Sequence, residues 1–148
     1  MRIESSAVID RPVDDVFRFQ ADEHYRNHPR WDPAVLSLRP IDDRPAGLGS
    51  RFEITRRMLG RAQTDVFEFV EWERPNRLAI ETSQPGFQLR ITAVCTPLGA
   101  GQTQLVVGGT AKLGGVRALV APLIRPKLAR EARGNLERIK AMVEADAG

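Results

Sequence analysis

Between Arg2 and Asp10 the side chains alternate, with Ile3, Ala7 and Ile9 to one side and Glu4, Ser6 and Asp10 to the other, the period of a strand with one buried face. The period then lengthens. Pro12 suits a first helical position, Asp14 and Asp15 sit where the helix dipole favours negative charge, and Val13, Val16, Phe17 and Gln20 share one face. Ala21 to Asn27 predicts a second short helix, stopped by Pro29 because the residue before a proline avoids the helical region.

From Ala34 the chain reads as strands near 34–39, 50–58, 62–73, 77–83, 87–96 and 102–112. Arg74-Pro75-Asn76-Arg77 and Gln84-Pro85-Gly86 place proline and glycine where type I and type II turns want them, and Met58-Leu59-Gly60-Arg61 and Leu98-Gly99-Ala100-Gly101 close the other hairpins. Such short connections predict an antiparallel meander. Phe52, Ile54 and Met58 oppose Arg51, Glu53 and Arg57, while Phe87, Leu89, Ile91, Ala93 and Cys95 oppose Gln88, Arg90, Thr92 and Thr96, so one face is buried and the other wet. Gly108 and Gly109 interrupt the last strand and predict a bulge or a close backbone approach.

The segment from about Val116 to Ala145 is helical. From Leu128 on, Leu128, Ala132, Leu136, Ile139 and Val143 form one stripe, and Arg130, Arg133, Glu137, Lys140 and Glu144 read as a solvent face. Val116, Leu119, Val120, Leu123 and Ile124 cluster roughly opposite that stripe, and Pro122 and Pro126 stand where the phase breaks. A bent helix, or a separate apolar segment leading into it, is expected. Six or seven strands at about 4.8 Å spacing are wider than one helix of about 10–12 Å. The sheet must therefore curl around the helix, leaving an apolar cavity wherever side chains do not fill the curl.

Composition adds bounds. The 148 residues, 42% hydrophobic, fit one domain over residues 1–148, and the opening Met1-Arg2-Ile3-Glu4 carries no apolar leader, so a soluble cytoplasmic protein is expected, with no stable membrane insertion. Cys95 is the lone cysteine and reads as a small buried hydrophobe, and the size requires no cofactor. Lysine plus arginine number 22 against 19 acids, a net of +3, with the signs mixed along the chain; this argues against a nucleic-acid partner and reads as dispersed arginine on wet faces. The densest basic group, Arg56, Arg57 and Arg61, brackets the Leu59-Gly60 turn and reads as a solvated hairpin tip rather than a phosphate site.

This order of elements resembles the helix-grip fold of the START-like or SRPBCC superfamily, in its polyketide cyclase/dehydratase and lipid-transport branch. Ile9-Asp10-Arg11-Pro12-Val13-Asp14-Asp15-Val16-Phe17 resembles the opening strand-to-helix signature and Trp31-Asp32-Pro33 the tryptophan before the second strand. Gly47-Leu48-Gly49-Ser50-Arg51-Phe52 is similar to the glycine-led third strand, and Val70-Glu71-Trp72-Glu73-Arg74-Pro75-Asn76-Arg77-Leu78 to the fourth-to-fifth strand turn. The resemblance implies an α+β fold: a curved antiparallel sheet of six to seven strands around a long C-terminal helix, with two short helices after the first strand. It also implies a small hydrophobic ligand, polyketide-, lipid- or quinone-like, without deciding among cyclases, carriers and sensors.

The candidate chemistry is sparse. His24 and His28 stand four apart, but no third ligand at recognised spacing accompanies them, so no metal is expected. One reading makes His28 or His24, with Tyr25 and Asp32, a general acid or base at the cavity mouth; the other leaves both as surface histidines on a capping helix. Strict alternation puts Arg56 beside Phe52, Ile54 and Met58, and Glu68 beside Val66 and Val70, so either projects into the cavity, where the two could pair or anchor a ligand carbonyl, or ends in water at a strand end or bulge. Trp31 and Trp72 read as packing or rim residues, with a stacking platform as the alternative. The candidate catalytic set is therefore His28, Asp32 and Glu68, and the candidate ligand-binding set is Tyr25, Trp31, Phe52, Ile54, Arg56, Trp72, Leu89, Ile91, Leu123 and Leu128. A non-catalytic carrier or sensor, with Val116 to Ile124 as lid or membrane-touching flap, and a homodimer through that segment are the rival expectations.

Overall fold

The computed structural model describes residues 1–146. Strand β1 (Arg2–Ile9) leads into helices α1 (Val13–Gln20) and α2 (His24–Trp31), followed by β2 (Val35–Pro40), β3 (Arg51–Met58), β4 (Arg61–Glu73), β5 (Arg77–Gln84), β6 (Phe87–Gly99), β7 (Gln102–Leu113) and α3 (Val116–Asp146). The seven strands form one antiparallel sheet in the order β1-β7-β6-β5-β4-β3-β2. The chain thus has the expected layout, with β1 closing the meander against β7.

The sheet wraps α3 from both sides. On one flank the Arg125 guanidinium donates to the Arg2 carbonyl (2.9 Å) and the Lys140 ammonium to the Val8 carbonyl (2.6 Å). On the other, Arg138 donates to the Trp31 carbonyl (2.9 Å) and Arg56 of β3 comes within 3.6 Å of Glu131. Lys140 and Glu144, expected on a solvent face, instead fasten the helix, because the Glu144 carboxylate also accepts from the Asp10 backbone amide at 2.8 Å. Long charged side chains reach past an apolar stripe to backbone groups that the sheet leaves unpaired.

Core packing is concentrated at one end. Leu136, Ile139 and Val143 of α3 meet Ile9, Phe17 and Leu105, all buried, and burying each such side chain contributes about 1.5–3 kcal/mol. Cys95 lies in this core, and burial pushes its thiol up to about 12, leaving it an inert hydrophobe.

Four local features refine the pattern-based expectation. Helix α2 starts at His24 and runs through Pro29; in so short a helix the proline removes a single backbone bond, to Tyr25, and the side-chain packing of His28 outweighs it. Both Pro122 and Pro126 lie inside the one helix α3, on an exposed stretch where water can serve the carbonyls they leave free. The ladders run through Gly108 and Gly109 without a bulge, and Gly109 leaves the inner face bare between Ile91 and Ile3. A register shift does occur between Phe69 and Glu71. It turns Trp72 to the same inner face as Phe67 and Phe69, where its ring meets Phe17 at 5.9 Å and Phe69 at 5.3 Å.

Candidate functional site

The inner face of the sheet changes character along the strands. Toward the turns at Arg74–Asn76 and Gly99–Gly101 it is solid core, with α1 packed across it. Toward the turns at Leu59–Gly60 and Pro85–Gly86 the inward side chains Arg56, Met58, Phe87, Leu89, Ile91 and Leu113 remain half-buried. From the first turns of α3 the Arg117 guanidinium lies over Phe87, 5.5 Å from the ring centre, while Val116, Leu119 and Leu123 point to solvent. The expected apolar cavity corresponds to this half-buried stretch of the inner face, an open trough. A shallow depression of about 310 Å³ lies at its mouth, lined by Gln84, Gly86, Phe87, Gln88, Lys112, Leu113 and Gly114.

One wall of the trough carries a buried polar chain. His24 Nδ1 lies 2.9 Å from the Gln20 carbonyl, which can only accept, so the proton is on Nδ1 and His24 Nε2 is an acceptor. His28 Nδ1, 3.0 Å from that nitrogen, must then donate. This tautomer leaves His28 Nε2 as a basic lone pair 3.7 Å from an Asp32 oxygen. Asp32 accepts from Arg56 Nε at 2.9 Å, and Arg56 reaches on to Glu131 and to the Met58 sulfur. Trp31 stacks flat on His28, 4.2 Å between ring centres.

Burial, assisted by the nearby His28, lowers His24 to about 3, so the ring is neutral at ordinary pH. Burial lowers His28 as well, against the pull of the Asp32 carboxylate. Burial alone would raise Asp32, but hydrogen bonding and charge, from His28 when it carries a second proton and from the Arg56 guanidinium in either state of His28, hold its carboxyl well below the usual range. The resulting state is two neutral imidazoles ending at a carboxylate–guanidinium pair. His28 and Asp32 are buried, whereas Arg56 is 23% exposed, so Arg56 is the member of the chain that faces the trough.

The other sequence candidates are dispersed. Glu68 is exposed on the convex face, opposite Arg51 and Glu81 in the ladders, and therefore does not face the trough; its inward neighbours are Phe67 and Phe69. Arg56 pairs across the hairpin with Gln63, so an Arg56–Glu68 pair does not form. Phe52 and Ile54 are sealed in the core, Phe52 among the rings of His24, Tyr25, Phe67 and Phe69. Tyr25 is half-buried against Phe52; burial raises its phenol, opposed by the Ser50 hydroxyl beside it. Leu89, Ile91 and Leu128 are half-buried, Trp72 belongs to the core end, and Leu123 is 80% exposed.

Two groups escaped the sequence reading. Glu131 closes the Arg56 chain from α3. Asp65 points inward on β4, held by Gln63 Nε2 at 3.0 Å and Gln84 Nε2 at 2.5 Å, which puts a polar patch on the trough floor beyond Ile54. Alternation from Phe67 would have pointed Asp65 inward. No cluster of three or more metal-ligating side chains occurs among the described residues.

Residues 1–144 match the family described as polyketide cyclase/dehydrase and lipid transport. The chain belongs to this family. Among solved structures it is similar to TTHA0849 from Thermus thermophilus, at 19% identity and a TM-score of 0.81 over 100% of both chains. It is also similar to the ZhuI aromatase/cyclase from Streptomyces sp. R1128, at 14% identity and 0.81 over 100% of this chain and 96% of that one. Norcoclaurine synthase from Thalictrum flavum follows at 14% identity and 0.75, with 100% of this chain and 96% of that one covered. No curated protein matches the chain in sequence. These likenesses establish the helix-grip fold for the chain. No helix among the described residues is long and apolar enough to cross a membrane.

Proposed function

We propose that the protein holds a small, mostly apolar or aromatic molecule in the trough between the sheet and α3, with an oxygen function of that molecule at Arg56. One observation carries the reading: a guanidinium faces a concave wall that is apolar apart from the Asp65–Gln63–Gln84 patch, and is backed by a buried carboxylate and the His28–His24 pair. Leu89, Ile91 and Leu128 supply apolar contact and Trp31 the rim, while Arg56 offers charge-assisted donors to a carbonyl or enolate. A cyclase- or dehydratase-like step, in keeping with the family, would fold a polyketone so that an enolate carbon meets a carbonyl. In that step Asp32 and His28 act through Arg56 as positioning groups, since neither is open to a ligand directly. The proton lost from the enolising carbon ends on the oxygen of the carbonyl that is attacked, carried by water in the open trough. That burial also favours the rival reading, a carrier that holds its ligand unchanged.

Binding is tested by tryptophan fluorescence with a hydroxynaphthoquinone against naphthalene. The oxygenated ligand is expected to bind about tenfold more tightly, and Arg56→Gln to erase the difference, since a hydrogen bond to a charged group contributes about 1.5–3 kcal/mol. Equal affinity for the two ligands would remove Arg56 from the site. Product formation from a polyketone chain, absent for a carrier, separates the two readings.

A further inference from the structure

We propose that the open end of the sheet docks onto an anionic lipid surface. This surface is independent of the ligand reading above. Val116, Leu119, Val120 and Leu123 on the first turns of α3 are 75%, 77%, 36% and 80% exposed, and at 100° per residue they share one side of the helix. Leu59, 63% exposed with φ of 51°, is the apex of the β3–β4 turn. The ladders, joined at Asp65 and Gln84 by the hydrogen bond between their side chains, place these features together: Ile54, Asp65, Gln84, Phe87 and Leu113 form a row across the sheet, and both the Leu59 turn and the start of α3 continue from that row to the same end. A single exposed leucine needs no explanation, but five large apolar side chains at one end do.

Charge selects the partner. Arg57, Arg61, Lys112, Arg117, Lys127 and Arg130 are exposed around these side chains. Of the acids nearby, Asp65 is held by Gln63 and Gln84, and Glu131 is shared between Arg56 at 3.6 Å and Lys127 at 4.0 Å, leaving the basic groups in excess. The fold thus gathers arginines and lysines that look dispersed along the sequence. A two-fold dimer through this end would oppose basic surface to basic surface. An anionic bilayer interface answers both features, since its acyl boundary takes the leucines and its headgroups take the cations.

The experiment is co-sedimentation of the full chain with vesicles containing phosphatidylglycerol, compared with vesicles of pure phosphatidylcholine. Binding is expected only to the former and is expected to fall as salt screens the charges. Leu119→Glu/Leu123→Glu should weaken it at least about tenfold, and Lys127→Glu or Arg130→Glu at least about fivefold each. Arg39→Glu on the edge strand β2 should leave binding unchanged. Leu59→Asn, which suits the left-handed backbone, gives a second apolar test should the helix double variant fail to fold. The proposal is overturned if the wild type does not bind, if Arg39→Glu costs as much as Lys127→Glu, or if the leucine variants bind normally. It is also overturned if they abolish a dimer, seen by sedimentation velocity, in a chain that ignores vesicles.

Discussion

His24 and His28 are the residues whose protonation the fold constrains most. Unfolded, a histidine titrates near 6.5; His24 in the fold titrates at about 3, so the folded state is stabilised only while the ring stays neutral. That contribution is complete above about pH 6.5 and is lost as pH falls toward 3, a loss on the order of 4 kcal/mol for this group. His28, also lowered, adds in the same direction. Replacing His24 by Phe should therefore flatten the fall in urea midpoint between about pH 7 and about pH 4.5. The same change should cost about 1–3 kcal/mol at neutral pH, because the His28 Nδ1 proton loses its acceptor. Parallel midpoint curves for the two proteins would contradict the lowered titration of His24, and an unchanged midpoint at neutral pH the tautomer assignment. Asp32→Asn tests the other end of the chain. It leaves the half-buried Arg56 with Glu131, at 3.6 Å, as its remaining carboxylate among the described residues, and a loss of about 2 kcal/mol is expected in the same assay.

At the scale of the element, α3 is one helix with two unlike halves. Leu136 is 3% exposed and Leu123 80%. Leu136→Ala should cost about 2–5 kcal/mol, cavity included, whereas Leu123→Ala should stay within about 0.5 kcal/mol. A large loss at Leu123, measured by chemical unfolding, would mean that this stripe packs against the protein itself. The opposition of the two apolar stripes was legible in the sequence, as were the antiparallel meander and the positions of its turns, because each rests on local periodicity. Alternation left Arg56 open between cavity and water, and the turn at Arg74–Asn76 is closed from Glu73 to Asn76 over a cis Arg74–Pro75 bond and not as the expected type I turn. What escaped rests on long-range pairing. The shift at Val70 reverses parity for Trp72, so its inward orientation has no signal in uninterrupted alternation. Glu68 obeyed its alternation, but which face was inner depended on Phe67 and Phe69. The continuation of α2 through Pro29 depended on Trp31 and His24 flanking His28 in space. Glu131 joined the site through a contact with Arg56, 75 residues earlier on β3, across a helix–sheet gap that no periodicity encodes.

For the whole molecule, the unequal ends of the inner face are the consequential property. A sheet gripping a helix that is firmly packed at one end and uncovered at the other has apolar surface to lose from water at the uncovered end alone. A ligand that fills the trough should thus stabilise the protein by mass action, about 2.7 kcal/mol at a hundredfold excess over its Kd. For a chain of this size, that amounts to a rise in Tm of several degrees. Heating curves would register such a rise for any bound ligand, wherever it sat. Hydrogen exchange locates it: added protection is expected in amides of β5 and β6 around Thr82, Leu89 and Ile91, in the Met58–Gln63 region, and in the first turns of α3. The amides of Leu136–Val143 should not change, because that half of the helix is already as closed as the core allows. Protection confined instead to α1 and the Trp72 region would move the binding site to the packed end and remove Arg56 from it.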